Sequence, residues 1–263
     1  MNFRTELNVI LQGGIMSYKA LFAWLEPKTY LTSCILLPFF QILFFATLGR
    51  FTGGEDTVHY VVVGNSIQIM SIAAIVGSVQ TVAQERQEGT LQFLLGTPVN
   101  RVSMITGRMF LPIADSMVKV FMGLLIGIML FNLSIPLAYV PQLLFVVVIT
   151  CFSMVGLGLL LGTFGLLFRD VSFLTNSIYF LLLVLCGVNF PIEKLPTAVQ
   201  YVSRCIPLTY GTAGAREAIA SGTVMWPSVV SSLLLGFIYL GLSIGFFRGL
   251  ETMAKKFGTL ERF

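Results

Sequence analysis

The chain has 263 residues, of which 56% are hydrophobic and only 11% are charged, and its mean hydropathy is +0.89. A soluble domain has about 25% charged residues, so this composition excludes a water-soluble fold and indicates a protein embedded in a lipid bilayer. The net charge of +4 is too small for a nucleic-acid-binding protein, and the four scattered cysteines form neither a disulfide framework nor a metal-binding spacing.

The first 28 residues have the pattern of an amphipathic helix. Phe3, Leu7, Ile10 and Leu11 share one helical face, and a second apolar cluster follows a Gly-Gly break. Amphipathic helices of this kind lie in the membrane interface. We therefore predict an interfacial elbow helix in residues 1–28 rather than a membrane span.

Six apolar stretches follow, each long enough to cross a bilayer, which takes about 20 helical residues. The predicted spans are residues 29–49, 58–84, 109–131, 143–168, 171–192 and 224–247. The sequence thus predicts an all-α integral membrane domain with six transmembrane helices over residues 29–250, followed by a tail of residues 251–263.

Lysine and arginine are unevenly distributed between the two sets of segments that six spans create. The set that includes both ends of the chain has eleven of them, and the other set has four. Because cytoplasmic segments are enriched in Lys and Arg, we predict that both termini are cytoplasmic and that residues 193–223 lie on the outer side.

The loop between the second and third predicted spans contains a short helix with a stop at each end. Gly89 interrupts the helix that leaves the second span, Thr90 is a good N-cap, and Gly96 and Pro98 end the new helix after barely more than one turn. One interpretation is an ordinary polar loop that lies against its own bundle. The other is a projection that inserts into a cytoplasmic partner.

The third span contains one pair of opposite charges, Asp115 and Lys119, which are four residues apart and share a helical face. An ion at the centre of a bilayer costs about 2.5–3.5 kcal/mol, so both charges need partners. One interpretation is a mutual pair near the inner interface, and the other is contact with polar groups of a substrate or partner.

Two motifs resemble those of a known family. The run from Glu85 to Pro98 is similar to the E-R-x-x-G-T-x-x-x-L-L-x-T-P signature of permease subunits of ABC-2-type ATP-binding-cassette exporters. The residues that carry the second likeness, between the last two spans, are Pro191, Pro196, Pro207, Tyr210 and Arg216. The resemblance implies that residues 191–223 form a helical or re-entrant element on the outer side.

The resemblance also implies that the loop 85–101 docks on a separate ATPase subunit. The residues assigned to this coupling element are Glu85, Arg86, Glu88, Gly89, Thr90, Leu91, Leu94, Leu95, Thr97, Pro98 and Arg101. The 263 residues contain no G-x-x-x-x-G-K-[ST] motif, so we expect ATP and magnesium to bind to the partner subunit. We expect this chain to be non-catalytic, with neither cofactor nor metal of its own.

The same resemblance implies a dimer with a second copy or a homologous permease, with the first, second and fifth spans near the shared axis. Residues that are candidates for the translocation path are Asp115, Lys119, Phe39, Phe40, Asn176, Tyr179 and Asn189. The phenylalanines are open to a second interpretation, as core or lipid-facing side chains. Glycine pairs such as Gly123–Gly127 and Gly158–Gly162, and the series Gly241, Gly245 and Gly249, predict close helix packing.

The sequence therefore predicts the membrane-spanning subunit of an exporter in the plasma (inner) membrane, powered by separate ATPase subunits. The apolar, phenylalanine-rich spans favour a hydrophobic or amphipathic cargo, such as a drug, a lipid-linked molecule or an antimicrobial peptide. One alternative is a stand-alone secondary transporter or channel, which would need further ionisable groups in the membrane. A second is a membrane enzyme acting on lipids, which would need clustered Asp, His or Cys at one interface.

Overall fold

The computed structural model of the protein describes residues 27–87, 101–165 and 171–257, and all regular structure within these ranges is helical. The α-helices are α1 (Pro27–Gln87), α2 (Arg101–Phe131), α3 (Val140–Gly165), α4 (Val171–Leu185), α5 (Thr197–Arg204), α6 (Pro207–Ser221) and α7 (Trp226–Phe257). Two short 3-10 turns, Leu137–Tyr139 and Ile192–Lys194, precede α3 and α5. Residues 1–26 of the predicted interfacial helix and the centre of the predicted coupling loop lie outside the described residues. Pro27 and Lys28, the last two residues of that prediction, are the first residues of α1.

Helix α1 contains the first two predicted spans, joined by a sharp turn. Gly54 has a φ of 76° and a ψ of −165°, a conformation that glycine adopts without the steric penalty of a Cβ atom. The two halves of α1 fold back on each other, so that an added Cβ at Gly49 would lie 3.3 Å from Val61. The two apolar stretches are Tyr30–Glu55 and Thr57–Thr81, which confirms two separate spans here.

Five helical stretches within the described residues are long and apolar enough to cross a membrane. They are Tyr30–Glu55, Thr57–Thr81, Met109–Phe131, Leu137–Gly165 and Trp226–Gly249. The predicted fifth span differs, because its helix ends at Leu185 instead of reaching residue 192. At about 1.5 Å per residue, the 15 residues of α4 reach roughly 22 Å, less than the hydrocarbon core of about 30 Å.

The second half of α1 is the centre of the bundle. Of its most apolar stretch, 83% is buried, against 24% for the first half of the same helix. Helices α2, α3 and α6 pack around it. Close approach depends on small residues: a Cβ added at Gly158 of α3 would lie 2.8 Å from the Ile75 Cα atom, and one at Gly123 of α2 would lie 3.0 Å from the Ser66 hydroxyl.

The glycine series in α7 does not pack as predicted. A Cβ added at Gly241, Gly245 or Gly249 would meet no described atom within 4 Å. Helix α7 instead approaches α3 through Gly236, where an added Cβ would lie 2.8 Å from the Ser153 Cα atom. Spacing alone identifies a glycine face but does not show which neighbour the face meets.

Candidate functional site

A cluster of neutral amide side chains lies where the two halves of α1 meet the segment after α4. The Gln41 Nε2 atom donates to the Asn65 Oδ1 atom at 3.0 Å and to the Gln68 Oε1 atom at 2.6 Å. The Asn65 Nδ2 atom donates to the Asn189 Oδ1 atom at 2.8 Å and to the Val61 carbonyl at 2.9 Å. Asn65 and Gln68 are fully buried, so the cluster joins three parts of the chain by hydrogen bonds inside the bundle.

One donor in this amide cluster has no partner. The Gln68 Nε2 atom is buried and forms no hydrogen bond with any described residue. Exchanging the oxygen and nitrogen of Gln68 does not solve this, because the Gln41 Nε2 atom would then face another donor. A buried donor without an acceptor is expensive in an apolar surrounding.

Gln41 lies at the edge of an exposed apolar face of α1. It is half-buried, whereas Leu37 and Phe44, one turn away on either side, are 69% and 61% exposed. Phe39 is half-buried and meets the exposed Phe40 edge-to-face, with ring centroids 5.3 Å apart. The amide cluster therefore adjoins a surface of the monomer that carries aromatic side chains.

The predicted path residues do not form one cluster. Asn189 belongs to the amide cluster, and Phe39 and Phe40 lie beside Gln41. On α4, Asn176 is exposed and forms no side-chain hydrogen bond with the described residues, while Tyr179 is half-buried with its ring edge-on to Phe180. Sequence reasoning missed Gln41, Asn65 and Gln68, although three amides at the middle of two adjacent spans are a signal that it had available.

Asp115 and Lys119 form the predicted ion pair, and Tyr30 forms a hydrogen bond with the same carboxylate. The Lys119 Nζ atom lies 2.6 Å from the Asp115 Oδ2 atom, and the Tyr30 hydroxyl donates to the Asp115 Oδ1 atom at 2.7 Å. The two charged side chains are mostly buried. Tyr30 is eleven residues before Gln41, about 16 Å along the helix, so this group is separate from the amide cluster.

Side chains from two other elements hold the segment that follows α4. Residues 186–190 are not helical, and Gly187 has a φ of 64°. The Cys186 carbonyl accepts a hydrogen bond from the Thr212 hydroxyl at 3.0 Å, and the Gly187 carbonyl accepts one from the Tyr60 hydroxyl at 3.0 Å. The Val188 carbonyl accepts one from the Arg216 Nη2 atom at 2.9 Å. Irregular backbone inside a bundle needs such partners, because it lacks the repeating backbone hydrogen bonds of a helix.

Arg216 is a half-buried cation in this region. Its Nη2 and Nε atoms donate to the Tyr60 carbonyl at 3.1 and 3.3 Å, and its guanidinium carbon lies 3.4 Å from the centroid of the Tyr60 ring. Burial lowers the pKa of Arg216 to about 10, and the neighbouring Tyr60 opposes this shift. The guanidinium therefore keeps its charge at neutral pH, stabilised by two carbonyls and an aromatic face.

A cleft of about 320 Å³ lies beside Arg216. Its walls are formed by α6, the Ile192–Lys194 turn and the Tyr60 region, and they include two carboxylates, Glu193 and Glu217. Neither carboxylate forms a salt bridge among the described residues. The cleft is thus a cavity of mixed polar and apolar lining, with a half-buried cation and two carboxylates on its walls.

The predicted outer segment is helical, as expected, and its prolines stand at helix starts. Pro191 precedes the Ile192–Lys194 turn, Pro196 is the N-cap of α5, and Pro207 is the first residue of α6. Proline suits these positions because the first helical N–H groups have no partner within the helix. Tyr210, which belongs to the same predicted motif, is half-buried in α6.

The turns and connections predicted to lie on the outer side meet at one end of the bundle. His59 contacts the Phe131 carbonyl at 3.3 Å, Tyr60 contacts Gly187, and Gly222 packs against the Tyr139 ring. We call this the Gly54 end, after the turn in α1. The predicted alternation of loops between two ends agrees with these contacts.

The coupling residues can be placed only in part. Residues 88–100 lie outside the described residues, as do the side chains of Glu85, Arg86 and Arg101. The backbone of α1 continues as a helix through Glu85 and Arg86 to Gln87, and α2 begins at Arg101. The docking role of this loop stays a prediction.

The helices define the class of protein, a polytopic helical membrane protein with neutral polar groups inside its bundle. Residues 13–220 match the family model of the ABC-2 type transporter, and the chain belongs to that family.

Three relatives agree with this membership. The chain is 24% identical over 192 residues to the probable multidrug ABC transporter permease YbhS of Escherichia coli K12, covering 70% of this chain and 50% of the relative. It is 22% identical over 204 residues to the inner membrane transport permease YhhJ of the same organism, covering 76% and 54%. It is 27% identical over 154 residues to the capsule polysaccharide export inner-membrane protein CtrC of Neisseria meningitidis serogroup B, covering 56% and 57%. The chain spans about half the length of the curated relatives it matches.

Proposed function

We propose that the chain is the membrane-spanning subunit of an exporter driven by separate ATPase subunits, and that it moves hydrophobic or amphipathic cargo outward across the inner membrane. Family membership supports the permease role. One relative is named as a probable multidrug permease and another as a capsule polysaccharide export protein, which supports export of large or amphipathic molecules over transport of a small ion.

The observation that carries the proposal is the amide cluster beside the exposed face of α1. Gln41 lies between exposed Leu37 and Phe44, and although its Nε2 atom donates to Asn65 and Gln68, its Oε1 atom has no donor among the described residues. This acceptor is poorly placed against lipid, because polar side chains in a membrane gain about 0.6–2 kcal/mol when they find partners. We therefore assign this face to a second permease and to the path between the two subunits. Asn176, exposed on the apolar helix α4, has the same need for a partner beyond the monomer.

The predicted fifth span and the orientation are part of the proposal. Helix α4 together with residues 186–192 completes this span and brings the number of crossings to six, and the side chains that hold the segment provide donors for three of its carbonyls. The excess of Lys and Arg on the other side assigns the Gly54 end to the outside and both chain ends to the cytoplasm.

The loop 85–101 then transmits ATP-driven movement to the bundle. Because α1 continues without interruption from Thr57 into Glu85, displacement of this loop tilts the most buried helix of the bundle. ATP binding to the partner subunits favours one of two states of the permease pair, which is the usual basis of such gating.

The test is a double substitution in the coupling loop, Glu88→Arg with Leu94→Asp. In cells that express the permease with its ATPase subunits, we expect membrane insertion to be unchanged and efflux of ethidium, a fluorescent amphipathic cation, to fall to the level of cells without the permease. The co-purified complex should retain ATP hydrolysis that no longer responds to ethidium.

The matched control is Glu251→Arg, a charge reversal in the same predicted cytoplasmic set but outside the loop, which should leave efflux unchanged. Parental efflux by the double variant would contradict the coupling role. Failure of every ATPase subunit to co-purify with the parent chain would contradict the exporter itself.

A further inference from the structure

The segment 186–189 owes its position to side chains of other elements. Its carbonyls at Cys186, Gly187 and Val188 each accept a hydrogen bond from a different side chain, belonging to α6 or to the second half of α1. A helix or strand would satisfy these carbonyls by a repeating backbone pattern. Here a few side-chain hydrogen bonds, together with the packing of the fully buried Cys186 and Val188, hold the segment in place.

Arg216 ties together two carbonyls that both lie outside its own helix. It bonds the Tyr60 carbonyl of α1 and the Val188 carbonyl with the same Nη2 atom. Gly64 makes this possible, since a Cβ added there would collide with both the Val188 carbonyl oxygen and the Arg216 Nη2 atom. The absence of a side chain at Gly64 in the second half of α1 thus leaves the space that the Arg216 guanidinium and the Val188 carbonyl occupy.

The adjoining cleft offers the same cation a second set of acceptors. Glu193 and Glu217 line the cleft with Arg216, and neither is in a salt bridge with a described residue. The Glu217 Oε1 atom accepts a hydrogen bond from the Ser221 hydroxyl at 2.8 Å, which leaves its other oxygen for the guanidinium. A guanidinium binds carboxylates in a planar, bidentate geometry and more strongly than it binds carbonyls. Two alternative bonding arrangements around one cavity are what a two-state element requires.

We propose that Arg216 is the positioning residue of a gate at the Gly54 end. In the closed state it fixes residues 186–189 against Tyr60. In the open state it leaves the two carbonyls for Glu193 and Glu217 across the cleft, which releases the segment. The proposal rests on the proposed function, which supplies the ATP-driven opening and the outward orientation of this end.

The test of the closed state measures the access of a reagent to the segment. In a chain whose four native cysteines are replaced, Phe190→Cys is reacted with an impermeant charged maleimide in intact, ATP-depleted cells. Arg216→Gln should raise the labelling rate about tenfold or more, because the loss of one hydrogen bond from a charged group shifts the equilibrium between the held and released segment by about that factor. Arg216→Lys should give an intermediate rate, because an ammonium keeps the charge but lacks the planar fork.

The matched control is Arg204→Gln, which removes an exposed arginine that also lies over a tyrosine ring, at 6.0 Å, in the neighbouring α5. It should leave the rate unchanged. Gly64→Ala keeps the cation but displaces it together with the Val188 carbonyl, and it should raise the rate as Arg216→Gln does. If Arg216→Gln does not accumulate in the membrane, the labelling rate of Gly64→Ala tests the closed state in its place. An unchanged rate in variants that insert normally would overturn the proposal.

The open state is tested by repeating the labelling in energised cells. The parent should be labelled faster than in depleted cells, and the double variant Glu193→Gln with Glu217→Gln should lose this increase. An equal increase in the double variant would overturn the exchange of partners.

Two other results would count against the proposed function instead. They are the absence of any energy-dependent increase in the parent and labelling of Phe190→Cys only after permeabilisation. Even then, the effect of Arg216→Gln on the labelling rate of Phe190→Cys in permeabilised cells would test whether Arg216 holds the segment.

Discussion

The two glutamines of the amide cluster should respond differently to removal, although both are mid-span amides in the same helix. Gln41 donates two hydrogen bonds, to Asn65 and Gln68, and Gln41→Leu leaves both of these acceptors unpaired. At about 0.6–1.7 kcal/mol for each bond inside a membrane protein, Gln41→Leu should lower the free energy of unfolding by about 1–3 kcal/mol.

Gln68→Met removes one hydrogen bond but also removes the buried Nε2 donor that has no partner. An unpaired buried donor costs about 1–3 kcal/mol, so the loss and the gain nearly cancel. We expect Gln68→Met to leave the stability unchanged or to raise it by about 1 kcal/mol. The double variant should be less destabilised than Gln41→Leu alone, because only one acceptor, on Asn65, then lacks its donor.

Reversible unfolding in mixed micelles, followed by tryptophan fluorescence at increasing dodecyl sulfate, measures these differences. The control is Gln80→Leu, an exposed glutamine of the same helix, which should change the stability by less than about 0.5 kcal/mol. If Gln68→Met is as destabilising as Gln41→Leu, the Gln68 donor has an acceptor and the reasoning about the cluster is wrong.

Three further predictions follow from the packing and the charges. Gly158→Val should destabilise the bundle by about 1–3 kcal/mol in the same unfolding assay, because its Cβ meets the backbone at Ile75. Gly241→Val, which meets no described atom within 4 Å, should not, and equal effects would contradict the α3–α1 contact. Asp115→Asn should lower the melting temperature in detergent more than Tyr30→Phe does, because it leaves the mostly buried Lys119 without its counter-charge. A larger effect of Tyr30→Phe would contradict the conclusion that Asp115 holds both Lys119 and Tyr30. Single cysteines along residues 176–189 of a cysteine-free chain should cross-link between permease subunits at positions three or four residues apart, and cross-links in α3 alone would place the dimer axis elsewhere.

Hydropathy and charge are sufficient to predict most of the helical architecture. Apolar runs of about 20 residues have few structures available in lipid, so the spans near 29–49, 58–84, 109–131, 143–168 and 224–247 emerge from composition. The turn of α1 at Gly54 falls between the first two predicted spans. The end of α4 is different, because Cys186, Gly187 and Val188 are as apolar as the helix before them.

Gly187, with a φ of 64°, is a local signal for the end of α4, but the partners that hold the irregular segment after it are distant in sequence. Thr212 and Arg216 follow Cys186 by more than 20 residues, and Tyr60 precedes it by more than 120. Their hydrogen bonds make the irregular segment possible. The contacts of the candidate site could not be predicted for the same reason. The family resemblance identified Arg216 as part of a motif, but only the fold shows that Arg216 donates to the Tyr60 and Val188 carbonyls.

The uneven burial of the two halves of α1 has a consequence for how the protein enters the membrane. Thr57–Thr81 is the least apolar of the five membrane-length stretches and also the most buried, and it carries Asn65, Ser66 and Gln68. Alone in the translocon, such a segment partitions weakly into lipid. The more apolar stretch before it ends at the Gly54 turn and brings Gln41 to the two amides. Biogenesis should therefore insert both halves of α1 as one helical hairpin, with the first half acting as an intramolecular chaperone for the second.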